Sequence, residues 1–282
     1  MTDGPTRFRT AYDAVLDAWP VPVERLDLGS AHGTTRVLVC GPEDGEPLVL
    51  LNGGGTTATV WFANVAELSR TRRVHAVDRI GEPGLSVAGE RPIRTAEDLL
   101  DWLDGVLDAL GLGRADLCGH SYGGWIALEY ALRAPERVRR LVLLDPTNCF
   151  AGFRPGYLLR ALPMLLRPTA RRARSFLAWE TGGAELDRRW LELCGLGAEL
   201  PRARVVVGRR PSAERLRAST VPALVLLAGG SRAHDSRRVE AATRRLLPDA
   251  ATAVLGGLTH HGIPSVGAPE LNRRIAAFLD RP

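Results

Sequence analysis

Leu117-Cys118-Gly119-His120-Ser121-Tyr122-Gly123-Gly124 is the stretch on which the reading of this chain turns. It contains G-x-S-x-G, and its flanks matter as much as the five positions themselves. The short apolar run of residues 115–118 suits a buried strand. Residues 124–133, with Trp125, Ile126, Leu128 and Ala131, suit a helix with an apolar face. A strand, a glycine turn and a helix with serine at the tip form a context that requires a strained serine backbone. The glycines on either side let strand and helix pass close together. The serine hydroxyl then stands above the end of a sheet, where it can act as a nucleophile.

Working outward, four more stretches fall in a consistent order. They are Leu50-Leu51-Asn52-Gly53-Gly54-Gly55, residues 76–86 (AVDRIGEPGLS), Pro135-Glu136-Arg137-Val138 leading to Asp145-Pro146, and Leu258-Thr259-His260-His261-Gly262. With the serine turn they make the chain resemble the α/β-hydrolase family over roughly residues 23–279. The resemblance implies an α/β fold: a mostly parallel central sheet flanked by helices, with a helical lid inserted after the sixth strand. On that basis residues 1–146 and 218–282 form the core and residues 147–217 the lid.

Core strands are expected at residues 23–28, 35–40, 47–51, 73–77, 115–118, 138–144, 223–227 and 252–255, with helices at 61–68, 95–110, 236–247 and 268–279. Tyr12, Val15, Leu16 and Trp19 are spaced for about one and a half turns of docked helix in an N-terminal arm. Residues 147–217 contain helical stretches broken by proline and glycine and no credible core strand. Phe150, Phe153, Tyr157, Leu158, Leu162, Met164, Leu165, Phe176, Trp179 and Trp190 in this segment can line an apolar cavity, although packing of the lid onto the core is the favoured reading for any one of them. The same segment has fourteen arginines against six acidic residues. A solvated charged face accounts for that excess; an acidic ligand or an acyl carrier protein is the sharper alternative.

A serine hydroxyl is a weak nucleophile at neutral pH and needs an imidazole to take its proton. The resemblance implies that this base lies after the last strand, where Gly257-Leu258-Thr259-His260 favours His260 and counting back from Pro269-Glu270 favours His261. It also implies that the loop after residues 47–51 and the residue following the serine supply the oxyanion-hole N–H groups, here Gly54 and Tyr122. Asn52 replaces the usual histidine of that loop, and its amide can still brace it. The residues 78–86 loop is expected to be structural, and the His120 ring to point away from the imidazole, toward packing or substrate.

The acid departs most from the family pattern. At the usual position, after residues 223–227, stands Ser231, whose hydroxyl cannot stabilise an imidazolium as a carboxylate does. Two carboxylates can substitute: Asp145, which closes the preceding core strand seven residues on from Val138, is preferred, and Asp235, four residues beyond Ser231, is the alternative. Some dehalogenases of this fold keep their acid at the former place.

The leading expectation is therefore a serine hydrolase acting on an ester, thioester or lactone through an acyl-enzyme on Ser121. A lyase, cyclase or C–C bond-acting enzyme of secondary metabolism and a slow ligand-binding homologue remain alternatives. No ligand cluster, phosphate loop or dinucleotide fingerprint calls for a metal or an organic cofactor. Four cysteines without paired spacing, no apolar run of membrane-spanning length and a polar N-terminus point to a cytoplasmic protein with a small-molecule substrate. The net charge of +5 comes entirely from arginine, with no lysine present, which reads as coding bias. Neither nucleic acid nor a membrane is an expected partner.

Overall fold

The computed structural model describes residues 4–201, 203 and 205–281; the first three residues of the N-terminal arm and two arginines of the arginine-rich segment lie outside them. The chain opens with helix α1 (Gly4–Leu16), then strands β1 (Glu24–Ser30), β2 (Gly33–Cys40) and β3 (Glu46–Leu51), a 3-10 turn at Ala58–Ala63 and a short helix α2 (Val65–Leu68). Next come β4 (Arg72–Val77), a two-residue β5 (Val87–Ala88), α3 (Ala96–Ala109), β6 (Ala115–His120), α4 (Tyr122–Arg133) and β7 (Val138–Leu144). Four helices follow, α5 (Pro155–Leu166), α6 (Ala170–Glu180), α7 (Arg188–Glu199) and α8 (Ala213–Arg217). The chain closes with β8 (Ala223–Ala228), α9 (Ser236–Leu246), β9 (Ala251–Leu255) and α10 (Ala268–Leu279).

The sheet runs β1-β2-β4-β3-β6-β7-β8-β9, with β5 beside β2. Its β1/β2 and β2/β4 pairs are antiparallel, and every pair from β4 to β9 along that order is parallel. Parallel strands need crossover helices on both faces, so their side chains are buried on both sides. Strand β3 shows this directly. Leu48 and Leu50 join the core on the side of α1, α7 and α10, whereas Val49 and Leu51 join the side of α3, α4 and α9. The fully buried Trp61 and Trp102 fill opposite sides of the sheet.

Several expectations need adjustment. The arm carries three and a half turns of helix, because Phe8 and Ala11 extend the apolar stripe of Tyr12, Val15 and Leu16 back by one turn. The helix expected at residues 61–68 is a 3-10 turn followed by a single α-turn. The strand before the helical insertion, β7, is the sixth of the core strands, as expected; the two-residue β5, paired with Gly33 and Thr34 off the main path of the sheet, is an addition that the sequence reading lacks. Helix α3 starts at a reciprocal cap in which Thr95 and Asp98 satisfy each other's backbone N–H groups. No helix among the described residues is long and apolar enough to cross a membrane.

Candidate active site

Strand β6 ends on a turn that only its particular residues permit. Ser121 has φ 55° and ψ −115°, a conformation that costs about 1–3 kcal/mol and persists only where the surroundings enforce it. A Cβ on Gly119 would stand 2.3 Å from the Gly123 carbonyl oxygen, and one on Gly123 would stand 2.2 Å from that of Leu51. Both positions therefore require glycine. The Ser121 carbonyl accepts N–H groups from Trp125 at 3.2 Å and Thr147 at 3.3 Å, which ties the turn to α4 and to the segment after β7.

Ser121 Oγ lies 2.8 Å from His260 Nε2, and His260 Nδ1 lies 2.6 Å from Asp145 Oδ2. Asp145 is fully buried and also accepts the Ala228 N–H at 2.9 Å and the Ser231 hydroxyl at 2.8 Å. Burial by itself would raise the Asp145 carboxyl, but the imidazoles of His234 and His260 against it hold it well below the usual carboxylate range. An ionised carboxylate only accepts, so Nδ1 of His260 carries its proton and Nε2 presents a lone pair to the Ser121 hydroxyl. Ser231, at the family's usual acid position, thus braces the acid that stands elsewhere.

The loop that carries His260 is held from below. Glu180, fully buried at the end of α6, accepts the His260 N–H with one oxygen and the His261 N–H with the other, at 3.0 and 2.9 Å. His120 Nε2 lies 2.8 Å from the His260 carbonyl oxygen; the ring is packed in the interior, one of the two places expected for it, but beside the His260 ring rather than away from it. Burial, then the neighbouring His260, lowers His120 to about 3. His261 is likewise lowered well below its ordinary value by burial and by His260 and His120.

The two rival assignments do not meet the serine. His261 turns away, with Nε2 at 3.4 Å from the Tyr157 hydroxyl. Asp235, half exposed, caps α9 by accepting the Arg238 N–H at 3.1 Å and faces Arg154 at 3.5 Å. It is the N-cap residue of a helix that starts one residue later, which fixes its carboxylate on that helix end.

Gly54 and Tyr122 face each other across the serine turn, a Cβ on Gly54 standing 3.8 Å from that of Tyr122. Tyr122 begins α4, so its N–H has no intrahelical acceptor. The Gly54 N–H donates to no described residue. The loop carrying Gly54 is tightly braced. Asn52 Nδ2 donates to the Thr56 carbonyl at 2.6 Å, Arg79 Nη1 donates to the Asn52 carbonyl at 2.6 Å, and Gly55 N–H donates to Glu82 at 2.8 Å. Arg79 is itself buried, 3.6 Å from Glu82, with its guanidinium 4.9 Å from the centre of the Tyr122 ring. In the same loop Asp78 accepts the N–H groups of Ala58 and Leu85, and Ser86 donates to the Asp78 carbonyl, the structural role expected for it.

A cavity of about 360 Å³ opens over Ser121. Its floor is Gly54, Gly55, Tyr122 and Trp125, and α5 and α6 supply Tyr157, Leu158, Met164, Leu165 and Phe176. Phe150 and Trp190 are packed in the core on opposite faces of the sheet, in line with the packing reading. Among the described residues, Glu82 is the only acid on its wall and no arginine lines it. Asp145, His234 and His260 offer three metal-type ligand atoms within 4.8 Å of one another. Two of those residues are already engaged in the chain of contacts to Ser121.

The roles of Glu180, His234 and the Arg79–Glu82 pair were not foreseen. His234 is buried with Nε2 3.3 Å from Asp145 Oδ1, yet its ring is not aligned for a hydrogen bond. No sequence signal marks Glu180, since its partners lie 80 and 81 residues away.

The family model described as "Alpha/beta hydrolase family" matches residues 48–278. Carboxylesterase YbfK of Bacillus subtilis (strain 168) is 37% identical over 176 residues, covering 62% of this chain and 58% of that protein. The crystal structure of naproxen esterase (carboxylesterase NP) from Bacillus subtilis superimposes with a TM-score of 0.92 at 28% identity, covering 99% of each chain. A pimeloyl-[acyl-carrier protein] methyl ester esterase of Nitrosomonas europaea is 33% identical over 168 residues, covering 56% of this chain and 64% of that protein. The matched stretches thus span about three fifths of these curated relatives.

Proposed function

The chain belongs to the alpha/beta hydrolase family, and we propose that it is a carboxylesterase cleaving a neutral, largely apolar ester through an acyl-enzyme on Ser121. In this reading His260 Nε2 takes the Ser121 proton as Oγ attacks the ester carbonyl. The charge that develops on the carbonyl oxygen is met by the N–H groups of Gly54 and Tyr122. His260, now cationic against Asp145, returns the proton to the departing alcohol. Water then enters by the same route, giving its proton to His260 as it attacks the acyl carbonyl, and the acid leaves Ser121.

The observation that carries the proposal is the continuous line of contacts, 2.8 Å from Ser121 Oγ to His260 and 2.6 Å from His260 to a buried Asp145. The cavity supports the substrate class. It is largely apolar, of a size suited to a small ligand, and carries no described arginine that would hold a carboxylated substrate. The full-length likeness to naproxen esterase points the same way. The helices α5, α6 and α7 and the residues 205–208 that follow them, by covering this cavity, act as the lid.

The test is labelling by a fluorophosphonate probe together with hydrolysis of p-nitrophenyl esters. Both should be lost in Ser121→Ala and sharply reduced in His260→Ala. Turnover of any substrate that survives Ser121→Ala would overturn the acyl-enzyme. A second reading, esters delivered on an acidic carrier protein, is favoured by the arginine excess of residues 147–217. It predicts that a carrier-linked ester is cleaved at least about tenfold faster than the same free ester, a difference of about 1.4 kcal/mol.

A further inference from the structure

Helix α5 has two apolar sides, and only one of them is used by the fold. Tyr157, Ala161 and Met164, spaced four and three residues apart, turn inward, where Ala161 is buried and all three line the cavity. Leu158, Leu162 and Leu165, with Leu159 and Leu166 beside them, form a second stripe that faces solvent. Leu159 and Leu166 are each 72% exposed and touch neither core cluster nor the cavity.

This stripe continues into the mouth of the catalytic cavity. Leu158, Leu165, Phe153, Val205 and Val207 all line that cavity and are all exposed, Val207 to 89%. A contiguous apolar surface of this kind marks a contact with something other than bulk water. Its charge identifies what that is. From residue 150 to residue 179 there are six arginines and not one acidic residue. Arg154, Arg160, Arg167, Arg171 and Arg174 are exposed around α5 and its junction with α6.

We propose that the outer face of α5 docks this protein onto an anionic lipid surface, so that the cavity mouth opens onto the acyl chains. Five leucines on one helix face, ringed by arginine, match a helix lying in a lipid interface, with apolar side chains among the acyl tails and cations at the head groups. An acidic carrier protein would answer the arginines, but it would leave Leu159, Leu162 and Leu166 against water. The proposal rests on the carboxylesterase reading and deepens it: the favoured substrates are esters dissolved in, or built into, such a surface. It departs from the sequence expectation that a membrane is not a partner.

Co-sedimentation of the whole chain with vesicles tests it. The protein should pellet with vesicles of phosphatidylglycerol and phosphatidylcholine, pellet less at high salt, and pellet poorly with phosphatidylcholine alone. Leu159→Glu/Leu166→Glu should weaken binding at least about tenfold, since it removes buried apolar area and adds two repelled charges. Its hydrolysis of a water-soluble short-chain p-nitrophenyl ester should match that of the wild type. That soluble-ester activity separates the two ideas, because its absence in the wild type sinks the esterase reading whatever the vesicles show. Failure of the wild type to pellet, or equal pelleting by the double variant, overturns the docking surface. So does a dimer that the double substitution dissociates, which would assign the stripe to a second copy. Capture of an acidic carrier protein through these leucines, without vesicle binding, overturns it too.

Discussion

Replacing Asp145 by asparagine changes one atom and should stop the reaction by moving one proton. In the wild type each carboxylate oxygen faces donors: Oδ1 takes the Ala228 N–H, and Oδ2 takes the Ser231 hydroxyl and His260 Nδ1–H. Asparagine keeps only one oxygen, so its NH2 group must face one of these two sides. Toward Ala228 it meets a backbone N–H that can only donate, leaving a buried pair of donors at a cost of about 1–3 kcal/mol. Toward Ser231 and His260 it meets groups that can adapt, because a hydroxyl rotates and an imidazole changes tautomer. The second orientation is therefore preferred. It leaves Nδ1 as an acceptor and places the ring proton on Nε2, pointing at Ser121 Oγ, where it cannot receive the serine's proton. The loss should be about 10⁴-fold in kcat, or about 5.5 kcal/mol, the scale for a triad with its imidazole in the wrong tautomer. Steady-state hydrolysis of a p-nitrophenyl ester and the rate of fluorophosphonate labelling should fall together, and the nitrogen-15 shifts of His260 should report the exchanged tautomer. A variant that keeps more than about a tenth of wild-type kcat would refute the assignment of Asp145, since no such tautomer change could then be limiting.

Three further outcomes follow from the same contacts. In Asp145→Asn/Ser231→Asp, a carboxylate returns within reach of His260, because Ser231 Oγ is 2.8 Å from the oxygen that His260 uses; kcat should rise at least about tenfold above Asp145→Asn, and no recovery would show that the 231 side cannot address the imidazole. Glu180→Gln leaves one of two N–H donors, those of His260 and His261, facing an NH2 group; stability should fall by about 1–3 kcal/mol along with kcat, and an unchanged thermal midpoint counts against the brace. Burial holds His75 at about 4 and His120 at about 3, against 6.5 for a free imidazole. Both are therefore protonated on unfolding before they are protonated folded, and stability falls as pH drops below about 6.5, by up to roughly 4 kcal/mol at pH 5. Asp116, raised to about 6 by burial, works in the opposite direction over the same range. A thermal midpoint that is level or rising from pH 7 to pH 5 would contradict this.

The legible parts of the molecule were those written in adjacent residues. The serine turn could be read because Gly119 and Gly123 are demanded by contacts within a few residues and with the neighbouring strand β3. The N-terminal helix is longer than the spacing of Tyr12, Val15, Leu16 and Trp19 implies, because Phe8 and Ala11 carry its buried stripe one turn further back. The two-residue β5 has no pattern to read at all: Val87 and Ala88 are both exposed and are held only by backbone pairing. Within the site, Asp145 was reached by counting seven residues on from Val138, a local register argument. Glu180 could not be found that way. Its identity matters through two N–H groups on a loop about eighty residues later, and nothing in a helical segment of mixed polarity marks one glutamate as turned inward. His234 and the Arg79–Glu82 pair are hidden for the same reason, their partners being brought to them only by the fold.

The position of the acid also has a physical logic that the sheet makes plain. Strands β6 and β7 are hydrogen-bonded neighbours with His120 opposite Leu144, so Ser121 and Asp145 are the next residues out on adjacent strands. The Ser121 N–H still donates to the Leu144 carbonyl at 3.0 Å, and both residues then leave the sheet with positive φ, 55° and 42°. Adjacent strands lie about 4.8 Å apart, which brings the two side chains to a separation that one imidazole ring can bridge. An acid after β8 stands one strand farther out and depends on its loop to reach back. Here β8 ends on Ala228, whose N–H donates to a carboxylate already in place, and the loop beyond adds the Ser231 hydroxyl as a second donor and the His234 ring 3.3 Å from the other oxygen. The hydroxyl at position 231 thus belongs to an arrangement in which the sheet itself sets the distance between nucleophile and acid.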